Sequence, residues 1–317
     1  MRIVKRREEL KSMLHYNKKE SKIFMPNEIF DDLQNEIEDG THVSFSYSYI
    51  YLCTWLYRHT KHFNPNTYDN NIIKQVLGYD KSNRTLNYLI KKNGLLDEIG
   101  YLESVRDFPI SWEIVDGELH FDMYSDYPEF PAKMSNRFFL KKPVFAFERV
   151  DLDDSNYIME GTFYNITNTH MIPFEVFLFC MSKKELGVSA FYLYSYLKYK
   201  CDYFGEGYDV SLNRLTEETG MSRMTLSRTL SSLREYGMVE AIHNQEFFAL
   251  AMDVSERKAN TYIAKDHTQF SDEKVEYERI KVMKKAEYWK LKETEKEEMN
   301  KLLNKKKVDI QLSELPF

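Results

Sequence analysis

The chain has 317 residues, 43% hydrophobic and 30% charged, a size and composition that indicate a folded protein of about two domains. Its 44 basic and 50 acidic residues give a formal charge of −6, so nucleic-acid binding would have to come from local basic patches. The sequence has no apolar run of bilayer length, no secretory signal and three widely separated cysteines. We therefore expect a reduced, cytoplasmic protein that does not enter a membrane.

Residues 1–22 form a basic leader. Five cations lie in its first half: Arg2, Lys5, Arg6, Arg7 and Lys11. Such a run is typical either of an arm that follows a DNA groove or of a solvated leader, and the residues alone do not separate the two.

Residues 23–126 predict the first of two similar units. A helix is expected from Ser46 to Arg58, and a shorter one ends at Gly78. Asp80 then reads as the N-cap of a helix over residues 81–93, with Gly94 at its end and an apolar strand after it. Asp116-Gly117 predicts a hairpin turn between two further strands.

The predicted helix over 81–93 carries four basic side chains and no acid. On it, Lys81, Arg84, Tyr88 and Lys91 fall on the outward stripe, where they are candidate DNA contacts. Acidic residues follow in the predicted wing and would repel phosphate: Asp97, Glu98 and Glu103. A solvated helix, or a unit used for dimerisation or partner docking, is therefore the alternative.

Residues 127–170 contain prolines, strand-prone stretches and the acidic run 151–154, and they predict a connector with some β structure. The acidic run superficially suggests a metal site, but an acidic loop is the better interpretation.

Residues 171–253 repeat the pattern of the first unit more clearly. A buried helix over Ala190–Leu197 precedes a short helix ending at Gly220, which is 142 positions after Gly78. Ser222 reads as the N-cap of a helix over 223–236, whose inner stripe is Leu226, Leu230 and Leu233. Two strand-like segments follow, residues 238–242 and 247–252, and predict a hairpin.

This order of helix, helix, turn, helix and hairpin over residues 174–252 resembles a winged helix, the helix-turn-helix variant with a flanking β-hairpin. The resemblance implies that the last helix enters the major groove of double-stranded DNA. Arg228 would then make a bidentate hydrogen bond to guanine, while the Ser and Thr hydroxyls suit contacts to phosphate or mixed contacts to bases. The candidate DNA-binding residues here are Arg223, Thr225, Ser227, Arg228 and Ser231.

Residues 254–317 are dense in Lys and Glu and predict a charged helical tail. Its apolar end resembles the Gln/Leu/Phe peptides that bacterial replication proteins insert into the sliding clamp. That resemblance implies partner-binding roles for Gln311, Leu312, Leu315 and Phe317. A frayed or intramolecularly packed end is the alternative.

The predicted fold is thus α+β, mainly α, with two winged helix-turn-helix domains, short β-hairpin wings, a strand-containing connector and a charged C-terminal helix. Two winged helices in a chain of this length resemble plasmid or phage replication initiators, which implies binding to origin repeats, recruitment of replication factors and a possible homodimer. A transcriptional repressor or partition-locus regulator, or an adaptor that does not bind DNA, are the alternatives.

The sequence offers little evidence of a catalytic motif. It has no phosphate-binding loop of the G-x-x-x-x-G-K type. His59 and His62 are spaced for one helical face but have no third ligand with convincing spacing, so they read as a surface pair and not as a metal site. The three cysteines read as core thiols. We therefore expect a binding protein without catalytic activity, metal or cofactor.

Overall fold

The computed structural model describes residues 3–63, 68–129, 138–150, 158–205 and 207–313, with side chains up to residue 303. Over these ranges the chain combines α-helices with small sheets of two or three strands, so the predicted α+β class is confirmed. Within the same ranges, none of the helices combines the length and the apolar character needed to cross a bilayer.

The first half of the chain is a run of helices followed by short strands. Its elements are α1 (Arg7–Met13), β1 (Lys22–Pro26), α2 (Ile29–Glu36), α3 (Gly40–Arg58), α4 (Asn70–Val76), α5 (Asn87–Ile90), α6 (Leu95–Glu98), β2 (Leu102–Val105), β3 (Pro109–Val115), β4 (Glu118–Met123), β5 (Leu140–Pro143), β6 (Glu148–Val150) and β7 (Ile158–Glu160).

The second half begins with another strand and ends in a long helix. Its elements are β8 (Thr169–Pro173), α7 (Phe174–Ser182), α8 (Gly187–Phe204), β9 (Tyr208–Val210), α9 (Leu212–Thr219), α10 (Arg223–Glu235), β10 (Val239–Ile242), β11 (Phe247–Ala249), β12 (Asn260–Ala264), β13 (Lys281–Met283) and α11 (Lys285–Ser313).

Helix α3 is the centre of the first half. Asp39 caps it by accepting hydrogen bonds from the backbone amides of Thr41 (2.7 Å) and His42 (3.3 Å). Every residue from Val43 to Tyr57 is buried, so the helix is surrounded by protein on all sides. Its predicted equivalent α8 is also mostly buried, and the two helices pack against each other.

The two halves begin with the same succession of strand, helix and long helix. Strands β1 and β8 start 147 residues apart, at Lys22 and Thr169, and helices α3 and α8 start at Gly40 and Gly187, again 147 apart. β1 pairs with β8 in antiparallel register, from Lys22 opposite Pro173 to Pro26 opposite Thr169. One continuous hydrophobic core includes residues of both halves. The two halves thus share this succession of elements and pack on each other.

The prediction of a helix over 81–93 is wrong. Within that segment only the single turn α5 is helical, because polar side chains bind the backbone before it. Asp80 accepts from the amide of Ser82 (2.8 Å), and Asn83 accepts from the amide of Thr85 (2.9 Å). The buried ammonium of Lys74 then donates to the backbone carbonyl of Asn83 (2.7 Å), which a continuous helix would need for itself.

The segment after Gly94 also differs from the expected strand. Leu95–Glu98 is the short helix α6, which places Asp97 and Glu98 on a helix instead of a wing. The strand that follows, β2, pairs with β5 from the predicted connector. The hairpin at Asp116-Gly117 is confirmed, since β3 and β4 pair across that turn.

The predicted hairpin of the second unit has the wrong partner strand. β10 pairs with β12, from Val239 opposite Ala264 to Ile242 opposite Thr261, and β12 also pairs with β9. β11, the expected partner, instead pairs in parallel with β13 of the tail. β12 has more to stabilise it in this sheet, since it pairs with strands on both its sides and buries Tyr262, whereas β11 pairs only with β13. The strand that completes this sheet therefore lies beyond the predicted boundary at residue 253.

The leader is neither an arm nor a solvated segment over its described residues. Helix α1 packs on α7 and buries Leu10. Arg7 lies 4.8 Å from the ring centroid of Phe179 and pairs with Asp272. Lys5, just before α1, pairs with Glu9, and Lys11 pairs with Glu8. Residue 2 lies outside the described residues. The basic side chains of α1 are thus mostly neutralised within the fold.

Candidate nucleic-acid interface

Helices α9 and α10 and the turn between them form as their local sequence predicts. Ser211 caps α9 by accepting from the amide of Arg214 (3.2 Å), and Ser222 caps α10 by accepting from the amide of Thr225 (3.3 Å). Gly220 takes a left-handed backbone, with φ of 64°, which lets the chain reverse between the helices. The leucine stripe of α10 is buried, so the opposite face of the helix is fixed toward solvent.

The solvent face of α10 brings together all five predicted contacts of this unit. Arg223, Ser227 and Arg228 are exposed, and Thr225 and Ser231 are half-buried. Arg223 is oriented by a hydrogen bond to the side-chain oxygen of Asn213. Among the described residues, Arg228 makes no ion pair. Met224, expected opposite the leucine stripe but not among the candidate contacts, is 83% exposed on the same face.

One basic residue of α10 faces another way. The guanidinium of Arg234 lies 4.2 Å from the ring centroid of Tyr277 and donates to the carbonyl of Glu278, so the segment before β13 covers it. The same segment binds the end of α10, where the amide of Val275 donates to the carbonyl of Glu235 (2.7 Å). This segment therefore fixes the C-terminal turn of α10 and leaves the cationic face to Arg223 and Arg228.

The first half of the chain supports the turn between α9 and α10. Gln34 of α2 donates to the carbonyl of Glu218 (2.6 Å). From the second half itself, Tyr192 of α8 donates to the carbonyl of Thr219 (3.2 Å). A Cβ atom at Gly40 would lie 2.2 Å from the carbonyl oxygen of Gly220. Only glycine at the start of α3 permits this approach, so the position of α10 depends on both halves.

Acidic side chains lie beside the same turn. Glu38, Asp39 and Glu217 line a groove with the N-terminal residues of α10. Carboxylates repel phosphate, so this groove is not a phosphate-binding surface. Arg214 projects next to α10: it pairs with Glu218 (2.7 Å) while remaining 70% exposed.

The four candidate contacts of the first unit are exposed but do not share one helix. Lys81 and Arg84 lie in the turns before α5, Tyr88 lies within α5, and Lys91 directly follows it. The hydroxyl of Tyr88 is 2.9 Å from the Nδ1 atom of His42. Together they form a basic loop surface instead of the outward stripe that the sequence predicted.

Two buried lysines that the sequence reasoning missed hold this loop in place. Lys74, 3% exposed, donates to Asn83 and to the side-chain oxygen of Asn87 (2.6 Å). Lys141, 2% exposed, pairs with Asp97 and donates to the carbonyl of Lys91 (2.9 Å). No sequence signal marks them, because lysine is normally a surface residue.

The predicted partner-binding tail is only partly described. Helix α11 runs through Gln311 and Leu312, whose side chains are outside the description, and Leu315 and Phe317 lie outside the described residues altogether. The buried, free state of Cys53, Cys180 and Cys201 confirms that they are core thiols.

No cluster of three potential metal ligands occurs among the residues that the structure describes. Comparison with known proteins found no matching family model, no similar curated protein and no similar solved structure.

Proposed function

We propose that this protein binds double-stranded DNA in a sequence-specific manner, with α10 as the recognition helix of a winged-helix unit and the β9–β12–β10 sheet as its wing. The observation that carries the proposal is the solvent face of α10, where Arg223, Ser227 and Arg228 project from a helix fixed on its other side by a buried leucine stripe. Arginine and hydroxyl side chains are the groups that read base edges and phosphates in the major groove.

The order of elements supports the same proposal. From α8 to β12 the chain forms a long helix, a short strand, two helices joined by a tight turn, and the antiparallel strands β10 and β12, with β11 between them in the sequence. In winged helices the helix that follows the turn lies in the major groove of DNA, and the strands flank it. The exposed loop with Lys81, Arg84 and Lys91 is a second cationic surface, to which we assign phosphate contacts.

Within DNA binding, we propose the role of a plasmid or phage replication initiator that binds origin repeats. The strand, helix and long helix that the two halves share support it, because repeated sites suit a chain with repeated elements. A repressor or partition-locus regulator would use the same surfaces. Footprinting on the protein's own replicon separates them: short repeats beside an AT-rich stretch indicate initiation, and a palindrome over a promoter indicates regulation.

The test of DNA binding is fluorescence anisotropy with the footprinted site at several salt concentrations. The affinity should fall steeply with salt, as release of counterions requires. Arg228→Ala should weaken specific binding by about 1–3 kcal/mol, and Arg228→Lys should recover only part of it, since lysine lacks the planar fork. Lys198→Ala on α8, which removes a cation paired with Asp202, is the matched control. Salt-independent binding would favour the adaptor instead.

We also propose that the protein forms a homodimer and that its C-terminal peptide contacts the sliding clamp. A chain truncated after residue 307 should lose capture of the sliding clamp in a pull-down if the C-terminal peptide inserts into it. Retention at full strength would assign any clamp contact to another surface.

A further inference from the structure

A second candidate site lies in the first half, in a cleft between β1, the C-terminal end of α3 and the segment before β8. The cleft encloses about 890 Å³ including its open mouth. Its polar lining includes Lys18, Lys19, Lys22, Arg58, His59 and Thr162. None of the lining residues belongs to α9 or α10, so the cleft is distinct from the face of α10 assigned to DNA.

The charge of this cleft is positive and uncompensated. Four of its lining residues are cations and none is an acid. Two carboxylates adjacent to lining residues are already engaged: Glu20 pairs with Lys61 (2.8 Å), and Glu175 accepts hydrogen bonds from the hydroxyls of Tyr16 and Ser21. A concave surface lined by one sign of charge concentrates ligands of the opposite sign.

The inner wall of the cleft holds polar groups without partners. The Nη1 atom of Arg58 and the hydroxyl of Thr162 are buried and make no hydrogen bond to any described residue. Thr162 is only 3% exposed. Buried polar groups are nearly always hydrogen-bonded, so these two donors lack an acceptor. His59 and His62 are half-buried, so they are not the surface pair that their spacing suggested.

Arg58 is already oriented for a ligand. Its guanidinium lies 4.6 Å from the ring centroid of Trp112 and 6.0 Å from that of Phe163, so aromatic rings and not carboxylates hold it. Burial lowers the pKa of this guanidinium, which nonetheless keeps its charge. Phe24, Phe163 and Ile166 complete the cleft with apolar surface.

We propose that this cleft binds a small phosphate monoester, with its phosphoryl group on Arg58, Thr162 and the rim lysines and an apolar or aromatic body against Phe24 and Phe163. A phosphoryl group supplies several acceptor oxygens and up to two negative charges, which match the unpartnered donors and the excess of cations. A free carboxylate offers fewer oxygens and less charge, and a neutral aromatic molecule would leave the donors unpaired.

The test is calorimetric titration of the full chain with phenyl phosphate, inorganic phosphate and phenol, with tryptophan fluorescence as a second readout because Trp112 covers Arg58. Phenyl phosphate should bind at one site per chain, inorganic phosphate more weakly and phenol undetectably. Arg58→Gln should weaken phenyl phosphate binding by about tenfold or more, because a charge-assisted hydrogen bond is lost.

Two further variants keep the test decisive if Arg58→Gln fails to fold. The double variant Lys18→Gln/Lys22→Gln changes only exposed rim residues and should weaken binding by about threefold to tenfold. Lys198→Gln, outside the cleft, should leave binding unchanged.

Three outcomes overturn the proposal. They are no saturable binding of phenyl phosphate, equal binding of phenol, and cleft variants that reduce DNA affinity while phenyl phosphate does not bind, which would assign the cleft to the DNA backbone. Because the titrations contain no DNA, their failure leaves the assignment of α10 untouched.

Discussion

Replacing Gly40 with alanine tests whether the first half positions helix α10. The added Cβ would lie 2.2 Å from the carbonyl oxygen of Gly220, 2.9 Å from its carbonyl carbon and 3.1 Å from the Cα atom of Met221. Non-bonded carbon contacts need about 3.5 Å, so α3 and the α9–α10 turn would have to separate by about 1 Å. The atoms met are backbone, which cannot rotate away as a side chain can.

The expected cost follows from two opposed effects. Alanine in place of glycine in a helix stabilises it by up to about 1 kcal/mol. Overpacking against fixed neighbours costs about 1–3 kcal/mol, and this site is at the severe end because three backbone atoms are involved. We therefore expect Gly40→Ala to lower the free energy of unfolding by about 1–2 kcal/mol and to weaken DNA binding as the turn shifts.

Urea unfolding followed by circular dichroism measures the stability, and anisotropy measures the DNA affinity. Thr41→Ala, one position further along the same helix and exposed, is the control and should change unfolding by less than about 0.5 kcal/mol. Gly40→Ala with unchanged stability and unchanged DNA affinity would show that the two halves do not meet as described here.

Three further predictions concern buried polar groups and the tail. Lys74→Met should lower the free energy of unfolding by about 1–3 kcal/mol, because the carbonyl of Asn83 and the side chain of Asn87 lose a donor, and hydrogen exchange of the loop at 80–87 should accelerate. Burial lowers the pKa of His170 from 6.5 to about 3, so between these values only the unfolded chain takes up the proton and stability falls as the pH is lowered. His170→Gln should flatten that fall by up to about 1.4 kcal/mol per pH unit in urea titrations at about pH 7 and about pH 5, and an identical pH slope would contradict the assignment. Tyr288→Ala should expose β11 to faster hydrogen exchange, since this buried ring packs the start of α11 against that strand; unchanged exchange there would mean that the tail does not hold it.

Local signals predicted the second unit well. The N-cap at Ser222, the turn at Gly220 and the leucine spacing of α10 are short-range patterns, and each depends only on residues within a few positions. Their hydrogen bonds and burial are those that the pattern requires. The exposed positions of Arg223 and Arg228 follow from the same periodicity.

The failures have long-range causes. The segment 81–93 has helical periodicity, but the buried ammonium of Lys74 and the short-range caps at Asp80 and Asn83 compete for its backbone. β10 pairs with β12, which is further along the chain than β11, because β12 also pairs with β9. Periodicity within a window carries no information on which distant strand completes a sheet.

The cleft around Arg58 was also beyond sequence reasoning. Its residues come from β1, the end of α3 and the segment after β7, and each alone reads as an ordinary surface or helix-end residue. Only folding brings their unpaired donors to one place.

The pairing of β1 with β8 and the common core have a consequence for any target of this protein. Neither half can turn against the other without breaking a strand ladder and opening buried aromatic packing, so no flexible tether sets the distance between the loop at 81–91 and helix α10. The spacing of the two cationic surfaces is therefore a constant of the molecule. A duplex that engages both must offer its two contact stretches at one separation and one helical phase.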